Sequence, residues 1–209
     1  MGKLHQICLV VTNKCNWFCE YCSMDTHNRS ISFEEVIKIA NNLPNNQNVC
    51  LTGGEPGLLS ELEMDTLIEI LKNKNTNIEI TTNGMFFKLH SKHMNNVNHV
   101  LYHCTENMDK EMFFPDNIDL SKVEFMIVVT DNNMKNLKSF LEKYKEIEFR
   151  LYKGDEHIVN GVRSSSLSIK NAIKIFKEFK DIISKDSAFS LLGVEDPGTQ
   201  IEVIGKKYV

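Results

Sequence analysis

The stretch TNKCNWFCEYCSMD, Thr12 to Asp25, sets Cys15, Cys19 and Cys22 within about two helical turns of one another. No fourth thiol stands nearby. Directly before it, Ile7 to Thr12 is a continuous apolar run rich in β-branched residues. Asn48 to Thr52, Ile78 to Thr82, Val97 to His103, Val123 to Thr130 and Ile147 to Tyr152 repeat that pattern. These read as six strands buried on both faces, so the cysteines follow the end of the first strand.

Helical segments alternate with the strands. Ser32 with Glu35 and Ser60 with Glu63 each match a reciprocal capping box, and each precedes apolar residues at helical spacing: Val36, Ile39, Ala40 and Leu43, then Leu67, Ile68 and Leu71. Pro44 closes the first helix. Asn133 to Tyr144 carries Leu137, Phe140, Leu141 and Tyr144 on one face; Ser91 to Asn96 and Asp109 to Phe114 are shorter helical candidates. A βα alternation of this kind demands right-handed crossovers and a mainly parallel sheet, with functional loops at the C-terminal ends of the strands. The expected fold is α/β, a partial, open (β/α)6 TIM-like barrel over residues 1–155. Residues 156–209 add a C-terminal helix, with Ile169, Ile173, Phe176, Phe179 and Ile183 at helical spacing, and a tail of two strands, Phe189–Val194 and Gln200–Val203, packed on the same domain. The segment Lys153–Ser168 reads as a polar loop.

At 209 residues the chain suits one well-buried domain. A net charge of −4 gives no electrostatic footprint for a nucleic-acid backbone, and no apolar run is long enough for a signal peptide or membrane span. The expected location is the cytoplasm, where thiols stay reduced and a tight cysteine cluster points to metal or catalysis before disulfides. Cys8, Cys50 and Cys104 stand alone in apolar runs and read as buried small hydrophobes.

Two metal chemistries suit three clustered thiols. A structural zinc site wants four closed ligands, and His27 is the one neighbour able to complete it. An iron-sulfur cubane held by three thiolates instead leaves one iron open to an exogenous ligand. Cys15-x3-Cys19-x2-Cys22, with the aromatic Tyr21 just before the last cysteine, resembles the hallmark of the radical S-adenosylmethionine (radical SAM) enzymes. LTGGEP, Leu51 to Pro56, follows the second strand, where that family carries its GGEP motif, and TTNG, Thr81 to Gly84, follows the third. The resemblance is strong over the first 85 residues or so. Beyond them, IVVTDNN after the fifth strand is similar to a pattern in peptide-modifying and nucleotide-cyclizing relatives.

The resemblance implies a 4Fe-4S cluster on Cys15, Cys19 and Cys22, with SAM chelating the fourth iron and cleaved reductively to a 5'-deoxyadenosyl radical that abstracts hydrogen from a substrate. It further implies SAM contacts from Tyr21, from Gly53 and Gly54 through close backbone approach, from Glu55 as acceptor for the ammonium, and from Asn83. At the fourth strand, relatives offer a serine or aspartate where this chain reads HCTEN. Strand alternation directs either His103 with Thr105 or Cys104 with Glu106 inward, and alignment on the family pattern favours Cys104 as a cofactor contact and Glu106 as a catalytic candidate. Arg150, in the sixth strand, needs a carboxylate or an anionic ligand as partner if it points inward, and is the second catalytic candidate.

The expected substrate is a small molecule or nucleotide first and a short peptide second, with a glycyl-radical activase third. A non-enzymatic iron-sulfur or zinc protein is the rival from another class. No cysteine follows Cys104, which argues against an accessory cluster. The expected partners are an electron donor such as flavodoxin or ferredoxin and the substrate, working without oxygen; neither nucleic acid nor membrane is expected.

Overall fold

The computed structural model describes residues 6–19, 22, 31–105, 108–116, 118–153, 158–159, 162–163, 169–179 and 201–204. Strands β1 (Gln6–Thr12), β2 (Asn48–Gly53), β3 (Asn77–Thr82), β4 (His99–His103), β5 (Val123–Val129) and β6 (Glu148–Lys153) pair in chain order, each parallel to the next. Right-handed crossovers between successive neighbours put every connecting helix on the same side, which curls the sheet into an open half-barrel.

Both capping boxes form. Ser32 accepts from the Glu35 N–H at the start of α1 (Phe33–Asn42), and Ser60 does the same with Glu63 at α2 (Glu61–Asn73). The short helix α3 (Met85–Leu89) was not foreseen. It starts where Gly84 takes a φ of +104° and the Thr82 hydroxyl accepts from the Gly84 and Phe86 N–H groups. Ser91–Asn96 is a three-ten turn, and α4 (Met134–Lys143) buries Leu137, Phe140 and Leu141 as expected. Asp109–Phe114 is irregular rather than helical. Met108 and Met112 are buried there while the Met112 N–H donates to the Tyr144 hydroxyl, so side-chain anchoring replaces helical bonding.

Three expectations for the C-terminal part change. Within Lys153–Ser168 a two-residue-strand hairpin forms, β7 (Ile158–Val159) against β8 (Val162–Arg163). In α5 (Ile169–Phe179) the face turned to the core carries Ile175 and Phe179, whereas Ile173 is exposed. The strand β9 (Ile201–Ile204) joins the main sheet parallel to β1, covering that edge. Ile183 and the segment 189–194 lie outside the described residues.

The strands are not apolar on both faces. Val49 and Leu51, Ile78 and Ile80, Val100 and Tyr102, Phe125 and Ile127, and Phe149 and Leu151 pack with the helices into one core. The alternate residues line the opposite, concave face with polar groups. Gln6 donates to Glu79 (2.9 Å), whose other oxygen meets His99 Nδ1 (2.9 Å); His99 Nε2 lies 3.7 Å from Glu124, and Arg150 forks onto Glu124 through Nε and Nη2 at 3.0 and 2.7 Å. This row draws on five strands near their N-terminal ends and forms a charged floor for the half-barrel. No helix among the described residues is long and apolar enough to cross a membrane.

Candidate active site

The site assembles where β1, β2 and β3 end. The cysteine loop leaves β1 at Thr12 and is held against the Gly-Gly turn: the Gly54 N–H donates to the Thr12 carbonyl (2.7 Å) and the Glu55 N–H to the Lys14 carbonyl (2.8 Å). Both glycines are needed for that approach. A Cβ on Gly53, already at φ +124°, would lie 2.4 Å from Thr12 O, and one on Gly54 would lie 2.2 Å from Lys14 O. The close approach seen here is therefore to the loop that carries Cys15.

Cys15, Cys19 and Cys22 form no disulfide, and each is partly exposed. The Cys22 N–H donates to the Cys19 carbonyl (3.0 Å), and the Trp17 N–H points to Cys15 Sγ (3.4 Å). Desolvation, opposed by that bond, raises the Cys15 thiol above its usual range. Among the described residues no three His, Cys, Asp or Glu side chains converge as a single metal ion requires. A cubane asks for something different, one thiolate on each of three iron corners.

Glu55 is only 1% exposed. Its Oε1 accepts from the Gly57 N–H (2.8 Å) and the Thr82 hydroxyl (2.6 Å), and its Oε2 from the Asn83 N–H (2.5 Å), so this carboxylate ties the end of β2 to the end of β3. Burial nonetheless pushes its pKa up, the three bonds offsetting only part of the desolvation. Expected as a ligand for an ammonium, Glu55 already has three chain donors, leaving one of about four lone-pair sites.

Asn83 reaches the cysteine loop. Its Nδ2 donates to Asn16 Oδ1 (2.8 Å) and lies 4.0 Å from Cys15 Sγ, while its Oδ1 is buried without a partner. An unsatisfied buried acceptor beside the thiols is a place where a donor belongs.

The fourth strand resolves the open alternative. Cys104 is fully buried in the helix-side core, its thiol directed to the Met126 carbonyl at 3.7 Å. His103 lies on the concave face, with its ring 6.0 Å from that of Trp17 and Nε2 3.0 Å from Thr105 Oγ1, which accepts from the Val128 N–H. Burial lowers the His103 pKa to about 4, so the imidazole is neutral at neutral pH. The structure thus brings His103 to Trp17 of the cysteine loop, with Thr105 bonded behind it, and leaves Cys104 in the helix-side core. The signal was present in the sequence: Val100, Tyr102 and Cys104 continue one apolar alternation, and His99 and His103 the other.

Arg150 sits on the concave face near its floor, and the carboxylate beside it is Glu124. Tyr21, His27 and Glu106 lie outside the described residues.

An open parallel half-barrel with a three-cysteine loop after its first strand and a Gly-Gly-Glu-Pro turn after its second defines a class of cluster-binding α/β proteins. The sequence model of the Radical SAM superfamily matches residues 9–112, and the chain belongs to that superfamily. No curated protein matches the sequence. Among solved structures, the fold is similar to anSMEcpe with bound AdoMet, at a TM-score of 0.58 and 18% identity over 85% of this chain and 59% of that one. It is similar to anSMEcpe with bound AdoMet and the Cp18Cys peptide, at 0.58 and 18% over 84% and 58% of the two chains. It is also similar to Streptococcus suis SuiB bound to precursor peptide SuiA, at 0.59 and 12% over 98% and 50%. The chain thus spans between half and two thirds of the length of these structures.

Proposed function

We propose that the chain is a radical SAM enzyme in which Cys15, Cys19 and Cys22 hold a 4Fe-4S cluster with one iron open to SAM, and that its substrate is a peptide laid along the polar concave face. The carrying observation is the cysteine loop itself: three partly exposed thiols outside any disulfide, on a loop pinned to the Gly-Gly turn by two backbone hydrogen bonds, beside the unpartnered Asn83 Oδ1. Soft thiolates select iron-sulfur clusters, and the set present fits one with an open corner. When bound, the cofactors supply reductive cleavage of the sulfonium and a carbon radical able to abstract hydrogen.

The chain's own residues position and shield. Gly53 and Gly54 fix the loop, and Glu55 sets the spacing between the ends of β2 and β3. Asn83 offers Oδ1 to a donor of the cofactor, and neutral His103 with Trp17 forms an apolar wall that keeps water from the reacting atoms. The peptide reading takes precedence over the small-molecule or nucleotide reading because two of the similar structures hold peptides by their descriptions. An electron donor of the flavodoxin or ferredoxin type, a cytoplasmic setting without oxygen, and residues 156–209 as part of the same domain belong to this proposal.

Anaerobic reconstitution with iron and sulfide, followed by dithionite and SAM, tests it by mass spectrometry for 5'-deoxyadenosine. The wild type yields the product and the Cys19→Ala variant does not. An intact cluster with no product refutes the enzyme reading in favour of an electron-transfer protein.

A further inference from the structure

Cys8 and Cys50 lie outside the site just described, yet they do not sit in the helix-side core. They are direct register partners on the parallel strands β1 and β2 and face the concave side. Neighbouring strands stand about 4.8 Å apart, within the Cα separation that a disulfide spans without backbone movement. Cys8 is partly exposed and Cys50 is buried. Cys50 Sγ lies 3.4 Å from the Thr81 hydroxyl, and the negative Glu79 carboxylate helps raise its pKa.

We propose that Cys8 and Cys50 are a redox-active dithiol on the wall of the concave face, one that exchanges with small disulfides and closes to a cross-strand bridge. The division of labour follows from position. Cys8, the more accessible thiol, is the attacker: the hydrogen bond it receives from Cys50 lowers its pKa, which raises its thiolate fraction. Cys50 keeps its proton until the second step, its pKa raised well above the usual range chiefly by that same bond and by burial.

In the first step the Cys8 thiolate attacks one sulfur of a small disulfide, forming a mixed disulfide and releasing one small thiolate. In the second, Cys50 attacks the Cys8 sulfur, and its proton passes to the departing second small thiolate. Two chain thiols are oxidised by two electrons while one small disulfide is reduced to two thiols, and a dithiol reductant reverses the change. None of this depends on SAM chemistry, so the inference stands or falls apart from the proposed function.

The test uses the cluster-reconstituted chain, treated anaerobically with oxidised glutathione, quenched with iodoacetamide and mapped by peptide mass spectrometry. The expected result is a Cys8–Cys50 crosslink that dithiothreitol removes, with Cys104 still a thiol. Cys50→Ser should stop at a mixed disulfide on Cys8, and Cys8→Ser should leave Cys50 unmodified. Each variant is checked for folding by circular dichroism, while the wild-type map decides the matter by itself. Failure of the wild type to form the crosslink overturns the proposal. So does modification of Cys8 no faster than that of Cys104.

Discussion

Replacing Gly54 by alanine tests whether the Gly-Gly turn serves the cysteine loop. The added Cβ would fall 2.2 Å from Lys14 O and 2.7 Å from Lys14 C, both backbone atoms without a rotamer to turn aside. Relief requires the loop to retreat by about 1 Å to reach ordinary contact. That retreat stretches the Gly54–Thr12 and Glu55–Lys14 hydrogen bonds, worth about 1 kcal/mol each, on top of an overpacking cost of about 1–3 kcal/mol. The expected loss is about 3–5 kcal/mol, a large part of the roughly 5–15 kcal/mol that holds a domain folded. Urea unfolding of the apoprotein measures it, and iron and sulfide content after reconstitution measures the effect on Cys15. Gly57→Ala is the matched control, because its Cβ meets Phe86 N at 2.3 Å, on the α3 side of the turn. It should cost similar stability, yet at matched folded fraction it should retain more iron than Gly54→Ala. Wild-type stability and full iron in Gly54→Ala would refute the reasoning.

The remaining predictions concern buried charge. Because burial raises the Glu55 pKa, the folded state holds its proton more tightly than the unfolded chain. Its contribution is therefore full below pH 4.5 and lost as pH rises through the folded value; Glu55→Gln should remove that fall from the profile of unfolding free energy against pH. The His99 pKa is raised, chiefly by its bond to Glu79, so its contribution is present below pH 6.5 and lost as pH rises through the folded value, and His99→Gln should flatten the profile there. Arg150→Ala leaves Glu124, 3% exposed, without its forked partner and should cost about 3 kcal/mol in denaturant unfolding, whereas Glu124→Gln with Arg150→Met should recover part of that loss.

The order of strands and helices was legible because each element carries its own local signal: the two capping boxes at Ser32 and Ser60, and the apolar runs of the strands. The cysteine loop and the GGEP turn were legible because they are contiguous. The charged floor was not. Glu79, His99, Glu124 and Arg150 come from four strands, and each looked like a lone polar interruption in a run taken to be buried on both faces; only the sheet register brings them together. Helix α3 was missed because its start depends on the Thr82 hydroxyl and the φ of Gly84, features of the folded turn rather than of apolar spacing. At Cys104 the alternation of Val100, Tyr102 and Cys104, rather than the family alignment, matches its place in the helix-side core, while Glu106 lies outside the described residues.

Electron paramagnetic resonance of the dithionite-reduced, reconstituted protein, recorded with and without SAM, bears most directly on the central claim. Three thiolate ligands and one open iron predict a reduced 4Fe-4S signal that changes shape when SAM is added. A signal indifferent to SAM, or a purified protein holding zinc in place of iron, would contradict it.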